Sequence, residues 1–259
     1  SSKIVKMTTA CPTDGPATVF QADPLTTTNE DVFGLVLVAA WPPPEALMDA
    51  YRNVILPQLR SCFDEDDYTE PTSALYLYPP ECLHVTIATT HSISVGTKDP
   101  QQRNTLMRCW KMVVDGATRR SEWPKTTECM ELSLKSSQIG EKAAILLWTE
   151  TTGTIDTMRT CIAEEAASRR AALEEAGVSV DTLHIPNIVH STVLRYRRVP
   201  QTSGQVVQER FRTTAQNEIL RSFPNKITIP CSVKLVCERV PYMNVPNDAD
   251  HILSSWSTK

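Results

Sequence analysis

Two short runs, far apart in the chain, constrain the fold more than any other feature: Leu83-His84-Val85-Thr86-Ile87-Ala88-Thr89-Thr90 and Val189-His190-Ser191-Thr192-Val193-Leu194. Both are rich in β-branched and apolar residues, as strands are. Successive side chains of a strand point to opposite faces, so His84 shares a face with Thr86 and His190 shares a face with Thr192. Leu83, Val85 and Ile87 back the first pair, and Val189 and Val193 back the second. Each run therefore offers an imidazole and a hydroxyl to one side. His91, His184 and His251 have no Ser or Thr two residues later.

The elements around these runs repeat. Residues 32–41 are apolar on both faces, like a central strand, and Pro42-Pro43-Pro44 ends them. A helix over about 45–63 follows, with Leu47, Tyr51, Val54, Ile55 and Leu59 as its apolar stripe and a kink expected at Pro57. Strands are predicted over 72–78 and 82–93, the second holding the first His-x-Thr, and then a helix over 101–119. The second half gives strands over 129–134 and 143–148, and a helix between Gly153 and Gly177 capped by Thr154 or Asp156. That helix carries Glu165/Arg169 and Arg170/Glu174 as i,i+4 pairs. The second His-x-Thr strand (185–197), a helix (205–221) and a strand (226–240) complete it.

Both halves thus run strand, helix, His-x-Thr strand, helix, strand. Trp41 precedes His84 by 43 residues and Trp148 precedes His190 by 42, while Asp99 and Gln205 each follow their histidine by 15. Such registration predicts an internal duplication, with the two histidines at equivalent places. Residues 1–31 read as an irregular arm, 32–240 as one bilobal catalytic domain with lobes near 32–138 and 139–240 that can exchange strands, and 241–259 as a tail.

Composition narrows the function. The 259 residues are 41% hydrophobic and 22% charged, with a net charge of -4, which disfavours broad binding of duplex nucleic acid but not of a small phosphorylated ligand or a strand end. The longest apolar run, Leu35 to Trp41, falls far short of the ~18 residues a membrane span needs. Eight dispersed cysteines without a Cys-x-x-Cys pair, and no Asn-x-Ser/Thr sequon, predict an intracellular, cytoplasmic protein. The start at Ser1-Ser2 leaves N-terminal targeting unreadable. Asp64-Glu65-Asp66-Asp67 reads as a solvated loop, and the histidines lack carboxylate or cysteine partners at ligand spacing, so no metal is expected. A monomer is expected.

The tetrads His84-Val85-Thr86-Ile87 and His190-Ser191-Thr192-Val193, one in each half, resemble the paired motifs of the 2H phosphoesterase superfamily, which includes RNA ligase/cyclic phosphodiesterase proteins. The resemblance spans about 32–240. It implies an α+β, duplicated, bilobal fold with two antiparallel-type sheets around a central cleft and helices outside, and no metal or organic cofactor. Ser191 departs from the pattern, which usually has an apolar residue there; by alternation it faces away from His190.

The implied activity is metal-independent hydrolysis of a 2′,3′-cyclic phosphate or 2′-linked phosphodiester on a nucleotide or RNA end. His84 and His190 would be its acid and base, in an order left open by the pseudo-symmetry, and Thr86 and Thr192 would hold the phosphate oxygens. Candidate base or rim contacts are Trp41 and Trp148, which end equivalent strands, Tyr196, placed on the His190 face by period two, and Arg195, which follows the motif. The alternative is a non-hydrolytic nucleotide-binding module on the same fold. Retention of both histidines favours the enzyme.

Overall fold

The computed structural model describes residues 19–124 and 129–257. Most of the expected N-terminal arm, residues 1–18, lies outside the described residues, as do 258–259. Nine strands occur among the described residues: β1 (Phe33–Ala39), β2 (Leu75–Leu77), β3 (Val85–Ser94), β4 (Met130–Ile139), β5 (Ala143–Glu150), β6 (Val189–Tyr196), β7 (Ile227–Ile229), β8 (Ser232–Glu238) and β9 (Ile252–Ser257). They form two antiparallel sheets, ordered β3-β1-β8-β9 and β2-β6-β5-β4-β7. The fold is mixed α+β.

Neither sheet comes from one half of the chain. Strands β8 and β9 complete the sheet begun by β1 and β3, while β2 and β4 complete that of β5 and β6. Every residue of β1 is buried, as expected for an apolar strand held between two neighbours and covered on both faces. The single strand predicted over 226–240 is divided instead. Pro230 has no N–H for a ladder, and there the chain leaves β7, at the edge of one sheet, and enters β8 in the other. The segment expected as a tail supplies β9, an edge strand beside β8.

The helices are exchanged too. The helical run 45–61 packs against 204–222, and Pro100–Ala117 packs against Thr154–Ser168, so each helix pair draws one member from each half. A π-helical turn, Tyr51–Ile55, precedes Pro57 and lets the run continue as Leu56–Ser61. The partner helix has the same feature at Phe211–Ala215, where no proline follows.

Thr154–Ser168 is entered through Gly153 at φ 71°, correcting the expected Thr154 or Asp156 cap; Glu150 Oε2 accepts from Ile155 N–H at 3.3 Å in its place. The pairs Glu165/Arg169 and Arg170/Glu174 both form, and Gly177, at φ 76°, follows the helical segment Arg170–Glu175. The acidic run is solvated at Asp64, Glu65 and Asp66, as expected, but not at its last residue. Asp67 is fully buried and accepts from Gln201 N, Thr202 N and Thr202 Oγ1, while Asp64 pairs with Arg210. No helix among the described residues is long and apolar enough to cross a membrane.

Candidate active site

The two His-x-Thr strands meet where the sheets join. His84, Thr86, His190 and Thr192 line one cleft of about 290 Å³, together with Tyr78, Thr89, His184, Arg195, Glu238 and Tyr242. Five of these, the two His-x-Thr pairs and Arg195, are residues the sequence singles out.

A β-bulge lies just beyond each threonine. On β3, Thr86 pairs with Val38 but Ala88 already pairs with Leu37, so Ile87 is the extra residue. On β6, Thr192 pairs with Ile145 and Leu194 with Ala144, so Val193 is extra. Each bulge reverses the period-two count that follows it. Thr89 therefore joins Thr86 in the first wall, and Arg195 joins Thr192 in the equivalent place of the second.

The same reversal corrects the expectation for Tyr196. It is fully buried against Phe20 and Phe63, and its hydroxyl donates to Gly140 O at 3.1 Å. Trp41 and Trp148 are also core residues rather than cleft contacts. Trp148 donates from Nε1 to Ser191 Oγ at 3.0 Å and packs on Phe223, and Trp41 lies buried beneath the Lys234 ammonium. A tryptophan at the end of a covered strand has more apolar area to bury than an open cleft accepts.

Each bulge carbonyl is held by a buried side chain from the first helix of one half. Tyr51 donates its hydroxyl toward Val193 O at 3.1 Å and Tyr78 O at 2.7 Å. Arg159 donates from Nε to Ile87 O at 3.3 Å and from Nη2 to Thr86 O and Ile188 O, both at 2.9 Å. Its guanidinium thereby ties the first motif to the approach of the second. Sequence reading gives no sign of this, because Arg159 sits on a helix and works through backbone oxygens. Ser191 makes a further tie, donating from Oγ to His84 O at 2.7 Å.

The two imidazoles differ in their support. His84 Nδ1 lies 2.8 Å from Cys82 O, and a carbonyl only accepts, so Nδ1 carries the proton and Nε2 keeps its lone pair. The corresponding carbonyl in the second motif, Ile188 O, accepts from Arg159 at 2.9 Å, and it meets the His190 ring without the regular hydrogen-bond geometry that Cys82 O gives His84. Burial lowers the His84 pKa from 6.5 to about 4; the Cys82 carbonyl opposes this, and the fields of His190 and Arg195 add to it. Burial also lowers that of His190, with the Ile188 carbonyl opposing and Arg159, Arg195 and His184 reinforcing.

Arg195 dominates one end of the cleft. It donates from Nε to Tyr78 Oη at 3.1 Å, pairs through Nη1 with Asp23 at 3.0 Å, and stacks 4.3 Å from the Tyr242 ring centroid. The Tyr242 hydroxyl also donates to Asp23. Residues just before β1 and just after β8 thus converge on one guanidinium. Glu238, beside them, is buried, and desolvation raises its pKa to about 7 against the pull of the Met243 and Tyr242 amides and of Arg195. Among the described residues, no group of three or more His, Cys, Asp or Glu is placed to hold a metal ion.

The chain matches no protein-family model and no curated protein sequence. Among solved structures it is similar to Escherichia coli LigT complexed with 3′-AMP, at 12% identity over 88% of this chain and 98% of that one, with a TM-score of 0.47. It is also similar to TT0787 of Thermus thermophilus, at 13% identity over 87% and 97%, TM-score 0.43. A third is Usb1 of Kluyveromyces marxianus, at 10% identity over 82% and 95%, TM-score 0.40.

Proposed function

We propose that the chain is a phosphodiesterase that hydrolyses a 2′,3′-cyclic phosphate or a 2′-linked phosphodiester on a nucleotide or RNA end, without a metal. One observation carries the reading: both His-x-Thr units line a single cleft, each followed by the same bulge. Two proton-transfer groups and two hydroxyl donors around one cavity suit phosphoryl transfer, where positioning and charge stabilisation supply most of the catalysis.

His84 is the base in this reading, since its Nδ1–H is committed to Cys82 O and its Nε2 is left to accept a proton from water. The water oxygen bonds to phosphorus as the bond to one ribose oxygen breaks. His190 gives that oxygen a proton. A bound phosphate anion favours the imidazolium of His190 and so offsets the lowering by burial. Each transfer contributes about 10²–10⁴ in rate. Thr86 and Thr192 donate to the non-bridging oxygens, and Arg195 adds positive charge at the cleft end.

The test is a screen of 2′,3′-cyclic nucleotides, 2′–5′ dinucleotides and RNA ends bearing a cyclic phosphate, reading which monophosphate forms. A single regioisomer is expected. Nucleotide binding without turnover on any of the three would replace this reading with the binding module.

A further inference from the structure

Glu238 closes β8 and lines the cleft, yet the proposed mechanism does not use it. It is 8% exposed. One carboxyl oxygen, Oε1, accepts from Met243 N–H at 2.7 Å, and the neighbouring Tyr242 amide also favours the carboxylate. Tyr242 and Met243 both have left-handed backbones, at φ 62° and 60°, which side-chain-bearing residues seldom adopt in succession. The carboxyl helps hold this turn, which presents the Tyr242 ring to Arg195.

The groups around Glu238 leave it without a counter-ion. Arg195 reaches it from β6, but that guanidinium is already paired with Asp23, and Glu238 forms no ion pair among the described residues. Tyr76 faces it from β2, Tyr78 from just beyond that strand, Cys82 from the turn before β3, and Tyr242 from the following loop. Burial raises the pKa of each of these four, so all stay protonated near neutrality. His84 and His190 are held neutral in the same range. A buried carboxylate with no counter-ion is costly, and an anion entering the cleft makes it more so.

We propose that Glu238 binds an anionic ligand as a neutral carboxylic acid, one oxygen accepting from Met243 and the other donating its proton as a hydrogen bond to a phosphate-type oxyanion. The inference rests on the reading of this cleft as a phosphate site. Binding is then accompanied by uptake of a proton, which is released when the ligand leaves. Desolvation places the change of charge near pH 7, so the cleft accepts anions more readily below neutrality than above it.

Inorganic sulfate, whose charge is constant from pH 6 to 8, is the probe. Wild-type affinity should fall about tenfold over that interval, the ratio set by titrating one group near 7. Glu238→Gln keeps an acceptor for Met243 and a permanent donor for the ligand. Its affinity should vary with pH by less than that of wild type, the remainder belonging to His190, and exceed that of wild type at pH 8. Calorimetry at pH 8, in two buffers of different ionisation enthalpy, should give wild type an uptake approaching one proton more than Glu238→Gln, since any uptake by His190 is common to both. Equal pH dependence or equal proton uptake in the two proteins, or no sulfate binding at either pH, would overturn the proposal. Turnover enters neither measurement, so an inactive chain still answers it, and an active chain with flat sulfate binding counts against Glu238 alone.

Discussion

The Ser191 hydroxyl, in the second motif, donates to the main-chain carbonyl of His84, in the first, at 2.7 Å, while accepting from Trp148 Nε1 at 3.0 Å. An apolar residue here would pack but could not span the two motifs. Ser191→Ala leaves a buried carbonyl and a buried indole N–H without partners, at a cost of about 1–3 kcal/mol each. We expect lower stability in urea, and a larger fall in kcat than in nucleotide affinity.

Arg159 makes the corresponding tie from the helix side, donating to three carbonyls at Thr86, Ile87 and Ile188. Lysine cannot reproduce a planar fork that spans two strands. Arg159→Lys is therefore expected to destabilise the fold by about 2–3 kcal/mol and to lower turnover at least about tenfold. Chemical denaturation and steady-state kinetics on the same preparation check this. Wild-type kcat in a destabilised protein would show that the clamp serves folding alone.

Much of the fold was legible in sequence because periodicity records burial, and the duplication showed in the spacing of Trp41, His84, Trp148 and His190. Sequence periodicity assumes unbroken strands, and there it failed. The bulges at Ile87 and Val193 turned Tyr196 into the core and Arg195 into the cleft. Asp23, Glu238 and Tyr242 have no motif of their own; pairing between distant strands brings them to Arg195.

The histidines predict a pH dependence of stability. Their folded-state pKa values lie below the unfolded value, so between the two the unfolded chain binds more protons and acid favours unfolding. For His84 this window runs from 6.5 down to about 4. The contribution is fully present above 6.5 and is lost as the pH falls through the window. His84→Gln should flatten the fall in the urea midpoint between pH 7 and 5. An unchanged slope would contradict the assigned burial.

EDTA should leave turnover intact, because each proton transfer is assigned to an imidazole and the phosphate contacts to Thr86, Thr192 and Arg195. Activity lost to chelator and restored by a divalent cation would reject that assignment.

The most direct measurement compares hydrolysis of a 2′,3′-cyclic nucleotide by the wild type, His84→Ala and His190→Ala, with nucleotide affinity measured alongside. Each variant should lose at least about 10² in kcat while binding stays within a few fold, and the double variant should be little worse than either. Either single variant turning over at the wild-type rate would contradict the account, as would a wild type that binds nucleotide and cleaves none.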